Sequence, residues 1–174
     1  EELFEDTGKL QEPFEDLNYI FSQTGLNIRN LLQRFELYLK ENRDCLLKDA
    51  PRRRDLRIYE AVYHFILYRY LCDFLGTESA KVWPEFPTGN GKVDIIISYE
   101  GKKSALEIKS FTNQRDYEKA LNQAANYAKK LGLSKIHLVF FVEHIDETNR
   151  QKYEKDYMDE KSNIRVVPVF TETG

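Results

Sequence analysis

The sequence predicts a three-layer α/β domain, a mixed sheet between helices, carrying an added helical segment at its N-terminal end. Three observations predict it. Up to Leu75 the apolar residues recur at steps of three and four, the period of a helix. After Gly76 the pattern changes to short β-branched runs joined by turn residues. From Asp116 onward helical and strand patterns alternate, which demands parallel crossover connections.

Positions 1–12 are acidic and polar and read as a loose lead-in. Phe14 to Ser22 places Leu17, Ile20 and Phe21 at helical spacing, and Thr24-Gly25 breaks it. From Asn27 to about Arg43, Ile28, Leu31, Leu32, Phe35 and Leu39 form one apolar stripe. Pro51 and the charged run Arg52-Arg53-Arg54-Asp55 mark a boundary. A helix over Asp55 to Leu75 follows, apolar on most sides and so expected to be central and largely buried. Lys81 to Phe86 reads as a short strand and Thr88-Gly89-Asn90-Gly91 as a turn. Val93 to Ser98 is a strand, Tyr99-Glu100-Gly101-Lys102 a tight hairpin turn, and Ser104 to Lys109 the returning strand. Asp116 to Leu131 is an amphipathic helix stopped by Gly132. Ile136 to Val142 is a near-continuous apolar strand, expected in mid-sheet. A polar helix over Glu147 to Asp159 and a strand over Ile164 to Phe170 complete the chain. The organisation expected is a helical extension over 1–54 and an α/β domain over 55–174.

Composition narrows the function classes. The 174 residues suit one domain. A net charge of -3 excludes a uniformly basic nucleic-acid binder, so any such contact must come from a local patch. The richest apolar stretch, Ile58 to Leu75, is interrupted by Glu60, His64, Arg69 and Asp73, so no membrane span is expected. Cys45 and Cys72 lack the spacing of a zinc site or a disulfide framework; a reducing, cytoplasmic setting is expected. The chain begins at Glu1, which suggests a piece of a longer protein.

The chemistry concentrates on two neighbouring strands. Asp94 interrupts the apolar run Val93 to Ile97, and Glu107 and Lys109, two residues apart, project from one face of the returning strand. The hairpin sets Asp94 beside Glu107. Two carboxylates so placed repel unless a cation lies between them. Oxygen ligands of this kind suit Mg²⁺ or Mn²⁺. Such an ion lowers the pKa of its water and steadies charge on a phosphate. Lys109 is placed to orient the water and stabilise developing negative charge. A surface hairpin with a solvated Glu-x-Lys would show the same tripeptide; the apolar flanks set this one apart.

Gly91-Lys92-Val93-Asp94, twelve further residues and Glu107-Ile108-Lys109 resemble the signature of the PD-(D/E)XK nuclease superfamily. The resemblance covers about Asp55 to Val142, with Val93 where the signature's name has Pro. It implies a restriction-endonuclease-like fold and Mg²⁺-dependent hydrolysis of DNA. By that resemblance Asp94 and Glu107 hold the ion, the Ile108 carbonyl adds a ligand, and Lys109 positions the water. Gln123 and Tyr127, four apart on one helix face, resemble the QxxxY motif of the RecB-type branch and would help position the site and the nucleic acid. Glu60 matches the acidic residue that the upstream helix often supplies; its structural alternative is pairing with Arg57 or His64. Glu85 is a further, weaker ligand candidate. The chain also resembles nuclease-like C-terminal domains that follow ATPase regions in prokaryotic proteins, which implies a fused or partner ATPase and is compatible with a homo-oligomer. The alternative is a nuclease-like module that binds nucleic acid or protein without cutting.

Other candidates have simpler readings. His64 reads as a packed, hydrogen-bonded helix residue, and His137 and His144 suggest no chemistry. Trp83 reads as core or sheet edge. Arg52, Arg53, Arg54 and Arg57 could touch phosphates or be a solvated helix start, and Lys102-Lys103 at the hairpin is similar. Tyr63, Tyr68 and Tyr70 read as packing residues.

Overall fold

The computed structural model describes residues 17–76, 79–87 and 91–174, with the side chains of 86 and 87 excepted. The elements run β1 (Phe21–Ser22), β2 (Gly25–Leu26), α1 (Ile28–Glu41), α2 (Arg43–Leu47), α3 (Glu60–Leu75), β3 (Lys81–Pro87), β4 (Lys92–Tyr99), β5 (Lys102–Ser110), α4 (Gln114–Lys130), β6 (Lys135–Val142), α5 (Glu147–Tyr153), β7 (Tyr157–Asp159) and β8 (Ile164–Glu172). A six-stranded sheet in the order β3-β4-β5-β6-β8-β7 forms the middle layer. β3, β4 and β5 are antiparallel to one another; β5, β6 and β8 are parallel; β7 closes the edge antiparallel to β8. This is the mixed sheet flanked by helices that the sequence predicts.

One face of the sheet buries Ile95, Ile97, Leu106, Ile108, Val139, Phe141, Val167 and Val169 against α1 and α3. The other buries Ala105, Leu138, Phe140, Val166 and Phe170 against α4. α1 lays the expected stripe of Ile28, Leu31, Leu32, Phe35 and Leu39 on that first face, and Asn27 caps it by accepting from the Asn30 amide at 3.1 Å. The N-terminal helix thus shares one core with the sheet. α4 starts at the N-cap Asn113 and ends before Gly132, whose φ of 67° takes the left-handed region past a helix end. The β4–β5 turn places both Glu100 and Gly101 at positive φ, the geometry whose twist matches a two-residue hairpin.

Four local expectations are corrected. Leu17 to Ser22 makes a single turn, with the Ile20 and Phe21 amides on the Leu17 carbonyl, and goes no further as a helix because Phe21 and Ser22 pair with Leu26 and Gly25 in the β1–β2 ribbon; positions 14–16 lie outside the described residues. α3 begins at Glu60 rather than Asp55. The preceding segment is a tight turn closed by Arg53 N–H to Arg57 C=O at 2.7 Å, with Leu56 at positive φ. α3 is buried on one face only, through Tyr63, Ile66, Leu67, Tyr70, Leu71, Phe74 and Leu75; Phe65 is exposed. The polar helix over Glu147 to Asp159 stops at Tyr153, and Tyr157–Asp159 turns back as β7. Glu154 ends α5 because its carboxylate accepts from the Phe170 amide at 2.7 Å and from Arg150. The turn Thr88-Gly89-Asn90 lies outside the described residues.

Candidate active site

The β4–β5 ladder holds from Tyr99–Lys102 to Ile95–Leu106 and then stops. The next two positions in register are Asp94 and Glu107. Where the ladder ends, the Asp94 carboxylate replaces a β4 carbonyl: its Oδ2 accepts from the Ile108 amide at 2.7 Å. Two residues on, the Ser110 amide points to the same side and donates to Glu60 Oε2 at 2.8 Å. Carboxylates from β4 and α3 therefore satisfy the edge of β5 that the parted strands leave open. A strand residue's amide and carbonyl share a side, so the Ile108 carbonyl faces the same gap.

Glu107 and Lys109 project from the face of β5 that packs toward α4, as the alternation predicts. Lys109 Nζ lies 2.9 Å from Glu107 Oε1. Glu107 is only 2% exposed, and its Oε2 has no hydrogen-bond partner. Burial, and then Asp94, raise the Glu107 carboxyl while Lys109 pulls it back, and the balance leaves it at about 7. Burial lowers the Lys109 ammonium, but Glu107, Glu60 and Asp94 together outweigh it, and its pKa rises. Lys109 is therefore a fixed cation. It can orient groups and stabilise negative charge, but it is not a general base near neutral pH.

The surrounding residues hold this arrangement. His64 on α3 bonds the Asp94 carbonyl at 3.0 Å through Nε2, a packing role that steadies β4 beside the site. Glu60 pairs with neither Arg57 nor His64. Arg57 is taken by Asp55 at 2.5 Å and His64 by β4, which leaves Glu60 turned to β5. Gln123 Nε2 donates to the Tyr127 hydroxyl at 2.8 Å, so the two share a helix face and bond each other. A Cβ at Gly91 would come within 3.1 Å of the Tyr127 ring. Glycine there lets the start of β4 sit against Tyr127, three residues from Asp94. Glu85 stands apart from this cluster, in an exposed pair with Lys92. Trp83 is at the exposed limit of the sheet, and Tyr63 stacks on Phe141 at 4.5 Å between ring centres.

Asp94, Glu107 and the Ile108 carbonyl are the oxygen donors here that could hold a hard divalent cation, and the orphaned, buried Glu107 oxygen is costly without a partner. Among the described residues no group of three or more His, Cys, Asp or Glu side chains surrounds a single point. Any ion held here would rely on two side chains, main chain, water and substrate, the mode usual for Mg²⁺.

A groove of about 500 Å³ opens beyond Ser110, at the carboxyl ends of β5, β6 and β8. Its walls include Arg43, Arg52, Arg57 and His144, with Asp55 and Glu143 among them. The charged run before α3 predicts Arg52 and Arg57 as candidate phosphate contacts. Arg43 gave no signal in sequence, because it reads as the end of an amphipathic helix.

The chain belongs to the family described as Domain of unknown function (DUF8371), whose model matches residues 29–144. No curated protein sequence matches it. Two solved structures show a loose likeness. The small subunit of the heterodimeric restriction endonuclease R.BspD6I is 15% identical with a TM-score of 0.43, over 78% of this chain and 72% of that one. SfsA of Pyrococcus furiosus, solved in complex with Ca²⁺, is 13% identical with a TM-score of 0.32, over 66% of this chain and 60% of that one. No helix among the described residues is long and apolar enough to cross a membrane.

Proposed function

We propose that this family member hydrolyses phosphodiester bonds in DNA with the help of Mg²⁺ or Mn²⁺. One observation carries the reading: Asp94, Glu107 and Lys109 meet where β4 and β5 part, with a buried carboxylate oxygen left unpartnered. Asp94, Glu107 and the Ile108 carbonyl would hold the ion. When bound, it would supply an activated water and charge stabilisation at the phosphorus centre. The chain's own residues do the rest. The Ile108 amide fixes the Asp94 carboxylate, and the Ser110 amide fixes Glu60 beside it. Lys109 stays protonated, so it positions the attacking water by donating to it and offsets charge on the phosphate. Gln123 and Tyr127 shape the wall over Gly91. The groove beyond Ser110 sets Arg43, Arg52 and Arg57 against Asp55 and Glu143, and its arginines are the phosphate contacts proposed for this acidic chain. The setting proposed is a cytoplasmic protein acting with an ATPase domain, fused or separate.

The test is cleavage of plasmid and oligonucleotide DNA with Mg²⁺ or Mn²⁺. The wild-type protein is expected to cut and Lys109→Ala to lose cutting while remaining folded. A chain that binds DNA in a salt-sensitive way but never cuts with either ion is a binding module instead.

A further inference from the structure

A second cavity lies on the α1 face of the sheet, beneath the start of α1. It has a volume of about 450 Å³, within the range of small-molecule sites, and its lining is mostly polar. Three features converge on it. The first turn of α1, Ile28 to Asn30, lines it. Asn27 caps the Asn30 amide, but the Ile28 and Arg29 amides have no helical carbonyl to meet, and the helix presents its positive end there.

Lys135 and Arg165 also line it, and they are direct register partners on the parallel strands β6 and β8. Like charges opposite each other on a sheet repel. Asp156 answers them only in part: it lies 4.0 Å from Arg165 and also serves Arg29 at 3.4 Å.

The third feature is His137. It registers with Leu106 and Val167, so it points to the α1 face, away from the face of Glu107 and Lys109. It is 6% exposed, lines the cavity, and has no hydrogen bond among the described residues. Its ring nitrogens are not sealed in the core but open onto the cavity, where a polar group can meet them. Burial, and then Lys135 and Arg29, hold it neutral far below neutral pH. A neutral imidazole still has one N–H to donate.

We propose that this cavity binds the phosphate group of a small phosphorylated molecule. The Ile28 and Arg29 amides, Lys135, Arg165 and the His137 N–H supply donors from three elements, and Ser22, Thr24 and Asn27 line the remaining space. This reading is independent of the nuclease proposal, since it involves none of the residues at the β4–β5 gap.

The experiment follows the His137 ring resonance by NMR while inorganic phosphate, ribose 5-phosphate or adenosine monophosphate is added at constant ionic strength. His64, bonded to the Asp94 carbonyl and lining neither cavity, serves as the reference. A saturable shift of His137, with half-saturation near or below about 1 mM, is expected from at least one of them. Inorganic phosphate binding as tightly as the esters identifies free phosphate as sufficient; tighter binding of an ester shows that the cavity also reads the organic part. The exposed double variant Lys135→Met with Arg165→Gln is expected to weaken binding about tenfold or more. No saturable shift with any of the three, an equal shift with sodium chloride, or unchanged affinity in the double variant would overturn the proposal.

Discussion

Glu107→Gln is expected to stabilise the protein at alkaline pH while removing its catalytic function. The carboxyl moves from an ordinary 4.5 to about 7 on folding, chiefly through burial and the neighbouring Asp94. A group whose pKa is raised by folding adds stability below its unfolded value and loses it as pH climbs through the folded value. Here the loss runs from about pH 4.5 to about pH 7 and is constant above. At about 1.4 kcal/mol per pH unit the full effect is about 3 kcal/mol. The amide avoids that cost but gives up the 2.9 Å contact with the Lys109 ammonium. Lys109 keeps Asp94 and Glu60 as compensating charges. The net gain expected at about pH 8 is therefore about 1–3 kcal/mol. Urea unfolding across pH measures it directly. The two proteins should converge at acid pH, and the gap should open through the neutral range. Mg²⁺ should then raise the Tm of the wild type more than that of the variant. A Glu107→Gln protein less stable than wild type at about pH 8 would refute the reasoning, because the buried carboxylate would then be a net stabiliser.

Lys109→Ala removes the partner of a buried carboxylate and is expected to cost about 1–3 kcal/mol at neutral pH in urea unfolding, less below pH 5 where Glu107 is neutral. His137 is held neutral down to about 3 in the fold, against an ordinary 6.5. The unfolded chain alone takes up that proton, so its contribution is complete above about pH 6.5 and falls away below, by up to about 1.4 kcal/mol per pH unit. His137→Asn should flatten that acid slope. Phe35→Ala in α1 leaves a cavity against Tyr70 and Phe141 and is expected to cost about 3–5 kcal/mol by the same assay. A cost below about 1 kcal/mol would show that α1 does not share the domain core.

The architecture was legible because its signals are periodic. The stripe from Ile28 to Leu39, the β-branched run of β4 and the apolar run of β6 each have a single comfortable solution. The misread segments lack such periods. Asp55 to Tyr59 carries helix-compatible residues, but the Asp55 carboxylate captures the Arg57 amide and guanidinium and holds a turn. β7 is three residues long and exists only by pairing with β8, information that lies outside its own sequence. At the site, the types and spacing of Asp94, Glu107 and Lys109 were visible, as was the helix face that Gln123 and Tyr127 share; their mutual hydrogen bond was not. The bonds that Asp94 and Glu60 make to the open edge of β5 were not, because they depend on where the β4–β5 ladder stops. The cavity under α1 was invisible for the same reason: Arg29, Lys135, His137 and Arg165 come together only through strand register.

The most direct test of the central claim is anomalous diffraction from crystals of the protein soaked in Mn²⁺. A manganese peak is expected in the gap between β4 and β5, ligated by the Asp94 and Glu107 carboxylates, and absent from Asp94→Asn crystals. A fully soaked crystal in which Glu107 remains paired with Lys109 and no manganese lies near Asp94 would contradict the account.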